Sequence, residues 1–194
     1  MRSRKAAHNQ KIRAALLEAA ARLFREHGVA GAGIDAICSR AGLTRGAFYA
    51  HFSSKEALLD EVLADMHPLL VRLRRLGGGD RAGLAGQFQA YLDPGNLREV
   101  MVGCTLVALT GETARLPEKL RASFGAARER ILDEMVRVAG EESDRQLLDA
   151  ALSLATGAVQ TAAADNDADR QRATLESAYR GFLALSGLPN LASA

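Results

Sequence analysis

Residues 40–56 read Arg-Ala-Gly-Leu-Thr-Arg-Gly-Ala-Phe-Tyr-Ala-His-Phe-Ser-Ser-Lys-Glu and hold the densest set of side chains able to grip a polyanion. Arg45 carries a planar fork of donors that matches O6 and N7 of guanine, or the oxygens of a phosphate. Gly46 beside it lets backbone approach base edges closely. Thr44 can cap a helix or touch a phosphate or a methyl group, and its type leaves both readings open. Tyr49 presents a hydroxyl. Lys55, near the head of a further helix, adds its charge to the positive end of a helix dipole, a good phosphate site. His51 can touch phosphate or close the local turn, and again both stand. Phe48 and Phe52 are read as core, wedging their helix against Leu23, Ile37 and Leu58.

Such a set works only if short helices hold it out from a scaffold, and the flanking pattern supplies them. From Asn9 to His27 apolar residues recur at Ile12, Leu16, Ala19, Ala20, Leu23 and Phe24, a helical stripe that Gly28 should end. Ile34, Ile37 and Ala41 continue as a short amphipathic helix, with Gly33 a weaker N-cap than Ser or Thr. Ala41-Gly42-Leu43 makes a turn, and Thr44 caps a helix to about Ala50. Two helices around a tight glycine turn are the arrangement that sets a helix into the major groove of DNA. Ser53 and Glu56 read as a capping box for a long helix carrying Leu58, Val62, Leu63, Met66 and Leu70. Pro68 inside it predicts a kink near residues 64–67.

The rest reads as helix. The predicted spans are 80–92, 98–114, 117–139, 144–164 and 168–185, with turns at 93–96 and 165–167 and a second capping box at Ser143 and Gln146. Gly77-Gly78-Gly79 is expected to be the most flexible point. The expected architecture is all-α, with a helix-turn-helix domain over residues 1–56 and a helical ligand-binding and dimerisation domain over 57–194. The last two helices alternate small residues such as Ala155, Ala158, Ala178 and Gly181 with Leu152, Leu154, Val159 and Phe182. Small residues allow close helix approach, and a homodimer through a four-helix bundle would cover the wide apolar arc.

Charge sorts along the chain. Residues 1–60 hold 10 Lys/Arg against 5 Asp/Glu, whereas residues 61–194 hold 15 against 18, within a formal net charge of +2. A basic front with an acidic remainder suits one end offered to phosphate. Arg2, Arg4, Lys5, Lys11 and Arg13 could add backbone contacts, which position without specifying sequence.

Other chemistries find little support. Cys38 and Cys104 stand far apart with no CxxC partner, which argues against a disulfide framework or a zinc site. The four histidines, His8, His27, His51 and His67, lack ligand spacing. No glycine loop for phosphate and no Ser/His/Asp set is present, so neither catalysis nor a cofactor is expected. No run approaches the roughly 18 apolar residues that span a bilayer, and the N-terminus lacks the apolar core of a signal peptide; a cytoplasmic protein without a membrane partner is expected.

Over residues 11–60 these features resemble the DNA-binding domain of the TetR family of bacterial regulators. The likeness is carried by Ile12 through Phe24, Gly28, Ile34 and Ile37, Ala41-Gly42-Leu43-Thr44-Arg45-Gly46, and Phe48-Tyr49 through His51-Phe52 to Lys55-Glu56 and Leu58-Leu59. Gly33 departs from the Thr or Ser common in the family, which puts one phosphate contact in question. The resemblance implies a homodimer on a palindromic operator of double-stranded DNA, released when a small-molecule effector enters the C-terminal domain. A repressor is the expected role, with an activator lacking an effector pocket as the alternative. It also implies a phosphate contact for Tyr49.

Tyr91-Leu92-x-Pro94 and Gly103-Cys104-x-Leu106-x-Ala108-Leu109 are similar to a subgroup with Gly-Cys at the head of a central helix, some of whose members sense electrophiles or oxidants through a cysteine. Cys104 is the candidate sensing residue, and Thr105, Ala108 and Gln160 are candidate effector residues on helices expected to line a cavity. Thr105 and Gln160 are polar groups costly to bury unpaired, or else make only surface and interhelix hydrogen bonds. A helix start at Cys104, with Arg98 one and a half turns back, would favour a thiolate. The bland alternative is a small buried hydrophobe.

Overall fold

The computed structural model describes residues 2–65 and 68–191, apart from the side chains of residues 2–5 and 65. Met66 of the expected stripe, His67 and the side chains of Arg2, Arg4 and Lys5 lie outside the described residues. Among those described there are helices and no strand. The chain divides into two compact units, Met1–His67 with Ala108–Ala127, and Pro68–Val107 with Arg128–Ala194.

The first unit is built on α1 (Arg2–Gly31), whose stripe of Leu16, Ala19, Ala20, Leu23 and Phe24 is buried as the spacing requires. Helix α1 is interrupted at Gly28, where φ is 73° and ψ is 171°. Helix α2 (Ile34–Ala41) ends on Gly42 in the left-handed region at φ 67°, and its amide donates back to Cys38 and Ser39. Thr44 then caps α3 (Arg45–Tyr49) by accepting from the amide of Ala47 at 3.2 Å. Helix α4 (Lys55–Asp65) starts one residue later than expected. Ser54, not Ser53, caps it by accepting from the amide of Ala57 at 3.1 Å. Phe24, Ile37, Phe48, Phe52 and Leu58 meet in one core, joined by Leu109 and Leu120 from α8 (Thr105–Thr113) and α9 (Glu118–Ala139). That core also takes Leu59, Val62 and Leu63, so the expected boundary after Glu56 falls inside a compact unit.

The second unit comprises α5 (Pro68–Leu73), α6 (Arg81–Tyr91), a 3-10 turn at Pro94–Asn96, α7 (Leu97–Gly103), the head of α8, the second half of α9, α10 (Arg145–Ala164) and α11 (Ala168–Ser186). Three departures from expectation matter. The single helix expected over 98–114 is two, because Cys104 is extended at φ −97°, ψ 113° and divides α7 from α8. Asp144, rather than Ser143, caps α10, accepting from the amides of Gln146 and Leu147; Ser143 donates to the carbonyl of Gly140 instead. The glycine run is tied down, with the Gly79 amide on the carbonyl of Arg137 at 3.3 Å.

Helices α10 and α11 form a hairpin that buries Ala151, Leu152, Ala155 and Leu175, with Phe182 stacked on Phe88 at 4.1 Å between centroids. By length and composition alone α10, at 20 residues, is apolar enough to cross a membrane, contrary to expectation. The reason lies in its packing. Leu148, Leu152 and Val159 are fully buried in the unit, so this apolarity belongs to a core helix.

Candidate nucleic-acid interface

Local chemistry explains why the predicted DNA-facing residues lie outward. Helix α3 has five residues, and Phe48 spends its one strongly apolar side in the core. Thr44, Arg45, Gly46 and Tyr49 are all exposed, Tyr49 by 52%. Its ring stands edge-on to Phe48, with centroids 5.2 Å apart, so the hydroxyl is projected from an anchored base. The Arg45 guanidinium pairs with Asp35 of α2 at 3.3 Å. A hydrogen bond with Tyr49, and after it the Asp35 carboxylate, raise the already high pKa of Arg45. These are exposed, exchangeable partners that aim the fork without burying it. Asp35 is a member of the site that sequence missed, since no local signal links it to a residue in the next helix.

Other predicted residues are committed elsewhere. His51 is half-buried, and its amide closes the end of α3 on the carbonyl of Phe48 at 2.9 Å. Lys55 donates from Nζ to the carbonyl of Val29 at 2.8 Å, which ties the head of α4 to the break in α1. The opposite side of that break is held by Glu112 of α8, whose Oε2 accepts from the amide of Val29 at 2.9 Å. Arg13 pairs with Glu61 and lies 5.1 Å over the ring of Phe52, so it braces the core. Gly33 makes no side-chain cap, and nothing occupies the space where a Cβ would project.

Ala108 packs against the core of the first unit, whereas Cys104, Thr105 and Gln160 belong to the second. Gln160 donates to the carbonyl of Val107 at 2.9 Å. Thr105 is 3% exposed, and its hydroxyl has no hydrogen-bond partner among the described residues. Cys104 does stand at the head of a helix, but it is 4% exposed and its Sγ accepts from the hydroxyl of Tyr91 at 3.1 Å. Burial, and then the neighbouring thiol, push the Tyr91 pKa well above its ordinary value. Neither cysteine forms a disulfide, and no metal-binding cluster occurs among the described residues.

Known proteins share the domain and the fold. The model of the bacterial regulatory proteins of the tetR family matches residues 16–62, which run from α1 through most of α4. The transcriptional regulator SrpR of Pseudomonas putida is 41% identical over 70 residues, 36% of this chain and 33% of its own length. The probable transcriptional regulator ArpR of the same organism is 34% identical over 113 residues, 57% of this chain and 50% of its own. The chain thus spans half or less of these curated relatives. The reduced form of E. coli NemR shares the fold over 93% of this chain and 99% of its own, with a TM-score of 0.69 at 24% identity. The matched relatives are transcriptional regulators, and residues 16–62 of this chain form a helix-turn-helix domain of the tetR family kind.

Proposed function

We propose that this regulator is a repressor that binds a palindromic operator as a homodimer and leaves it when a small molecule binds. The observation that carries the DNA half is the exposed row of Thr44, Arg45, Gly46 and Tyr49 on a five-residue helix whose inner face is locked by Phe48. Helix N-terminal residues reach base edges in this motif, and Arg45 is the one side chain there with bidentate donors. Thr44 and Tyr49 serve as phosphate contacts. Lys55 is a bracing residue first, with two of its three donors left for phosphate.

Dimerisation is supported by the outer face of α10 and α11. Leu147 and Leu154 are 45% and 37% exposed, and Ser153, Gly157, Thr161, Thr174 and Gly181 line a shallow groove of about 600 Å³ there. A second copy of the same helix pair is the economical cover. For the effector, the unpartnered hydroxyl of buried Thr105 is the strongest pointer in the second unit. A cysteine-based sensor using Cys104 is favoured by the Tyr91 hydroxyl, which would steady a thiolate, but near-complete burial ranks it second.

The test is selection of duplexes from a random pool, followed by footprinting and a salt titration. The expected result is an inverted repeat with half-sites about one helical turn apart, bound with an affinity that falls steeply with salt. Selected sequences without any inverted repeat would overturn the homodimeric reading.

A further inference from the structure

The break in α1 borders a hollow of about 380 Å³ whose lining lies wholly in the first unit. Close-packed interiors leave few voids larger than a water molecule, and this one has the volume of a small-ligand site. Its apolar wall is Val29, Leu59, Leu116 and Leu120.

The polar groups around it are unequally committed. Glu112 accepts from the amide of Val29. Glu56 turns back on the start of its own helix, where its backbone amide and then Ser54 hold its carboxyl below the ordinary value. Lys55 spends one of its three donors on the carbonyl of Val29. Arg115 is exposed, and among the described residues its guanidinium has no hydrogen bond or ion pair. Lys55 keeps two donors and the Arg115 fork is unspent, beside an apolar wall and two carboxylates, Glu56 and Glu112, that are each already held by an amide.

We propose that this hollow is a binding site for a small amphipathic carboxylate, with Arg115 and Lys55 taking the acid and the hydrocarbon part lying against Leu59, Leu116 and Leu120. A bidentate guanidinium–carboxylate pair supplies orientation, and the apolar wall supplies most of the burial. The bound acid also gives Lys55 an acceptor that competes with Val29, which links occupancy to the strut between α1 and α4. The site names a ligand class for the effector role proposed above, and only its regulatory consequence rests on that reading.

The experiment is isothermal titration of the full chain, without DNA, with sodium octanoate, sodium 3-phenylpropanoate and octanamide. At least one acid is expected to bind saturably with one site per chain, and the two acids distinguish an alkyl from an aryl ligand. Arg115→Gln should weaken that binding about tenfold or more, because it removes a charge-assisted pair. Octanamide should bind octanoate's site more weakly by a similar factor if the alkyl acid is preferred. Arg121→Gln, which changes an exposed arginine outside the hollow, should bind as wild type does, and circular dichroism checks that each variant is folded. No saturable binding by either acid, or equal affinity in wild type and folded Arg115→Gln, would overturn the site. Because DNA is absent, failure here is separate from failure of the operator experiment.

Discussion

Two helix breaks in this molecule have opposite constructions. In α1 the chain breaks at Gly28, in a backbone region that side chains hardly enter, and the amide and carbonyl of the next residue go to Glu112 and Lys55. Between α7 and α8 it breaks at Cys104 in ordinary extended geometry. The contact there is soft, a phenol hydroxyl on a thiol, and the site is sealed from water. The first break uses a backbone conformation open to glycine and is pinned by charged side chains from two other segments. The second is relaxed and held by burial. Their responses to substitution should differ accordingly.

Gly28→Ala carries the largest expected effect. An alanine there is forced to positive φ, and its Cβ would overlap the Glu112 carboxylate. A loss of at least about 2 kcal/mol in a urea unfolding titration is expected. A variant within about 0.5 kcal/mol of wild type would mean that position 28 does not require glycine.

Tyr91→Phe probes the other break and should be mild. At neutral pH it removes one weak hydrogen bond to sulfur, a cost of under about 1 kcal/mol. The alkaline arm sharpens the contrast. Tyr91 keeps its proton in the folded protein well above the ordinary value of 10.0, so its contribution is fully present below pH 10. As pH rises past that point the unfolded chain ionises its tyrosine, and the contribution declines towards the raised folded value. The stability gap between wild type and Tyr91→Phe should therefore shrink above pH 10. A gap that widened instead would contradict the burial of a neutral phenol.

The same contrast marks what could be read from residue order alone. Gly42, Thr44 and the stripe from Leu16 to Phe24 act through neighbours one to four residues away, so spacing was enough to find them. Cap positions slipped by one, from Ser53 to Ser54 and from Ser143 to Asp144, because adjacent polar residues compete for the same orphan amides. The interruption at Cys104 directly follows Gly103, which the expected span of 98–114 ran through as helix. Lys55 and Glu112 were visible as charged residues, but their shared hold on Val29 joins positions 26 and 83 residues from it. No local pattern encodes a contact of that kind. Asp35 aiming Arg45 and Tyr91 reaching Cys104 were hidden for the same reason.

The central claim is that α3 reads DNA through Arg45. It is tested most directly by titrating wild type and Arg45→Ala against the selected operator and against duplexes altered one base pair at a time. The expected result is that the variant loses discrimination at one or two base pairs per half-site, worth about 1–3 kcal/mol, while its binding to unrelated sequence changes little. Wild-type discrimination retained by Arg45→Ala would contradict the account.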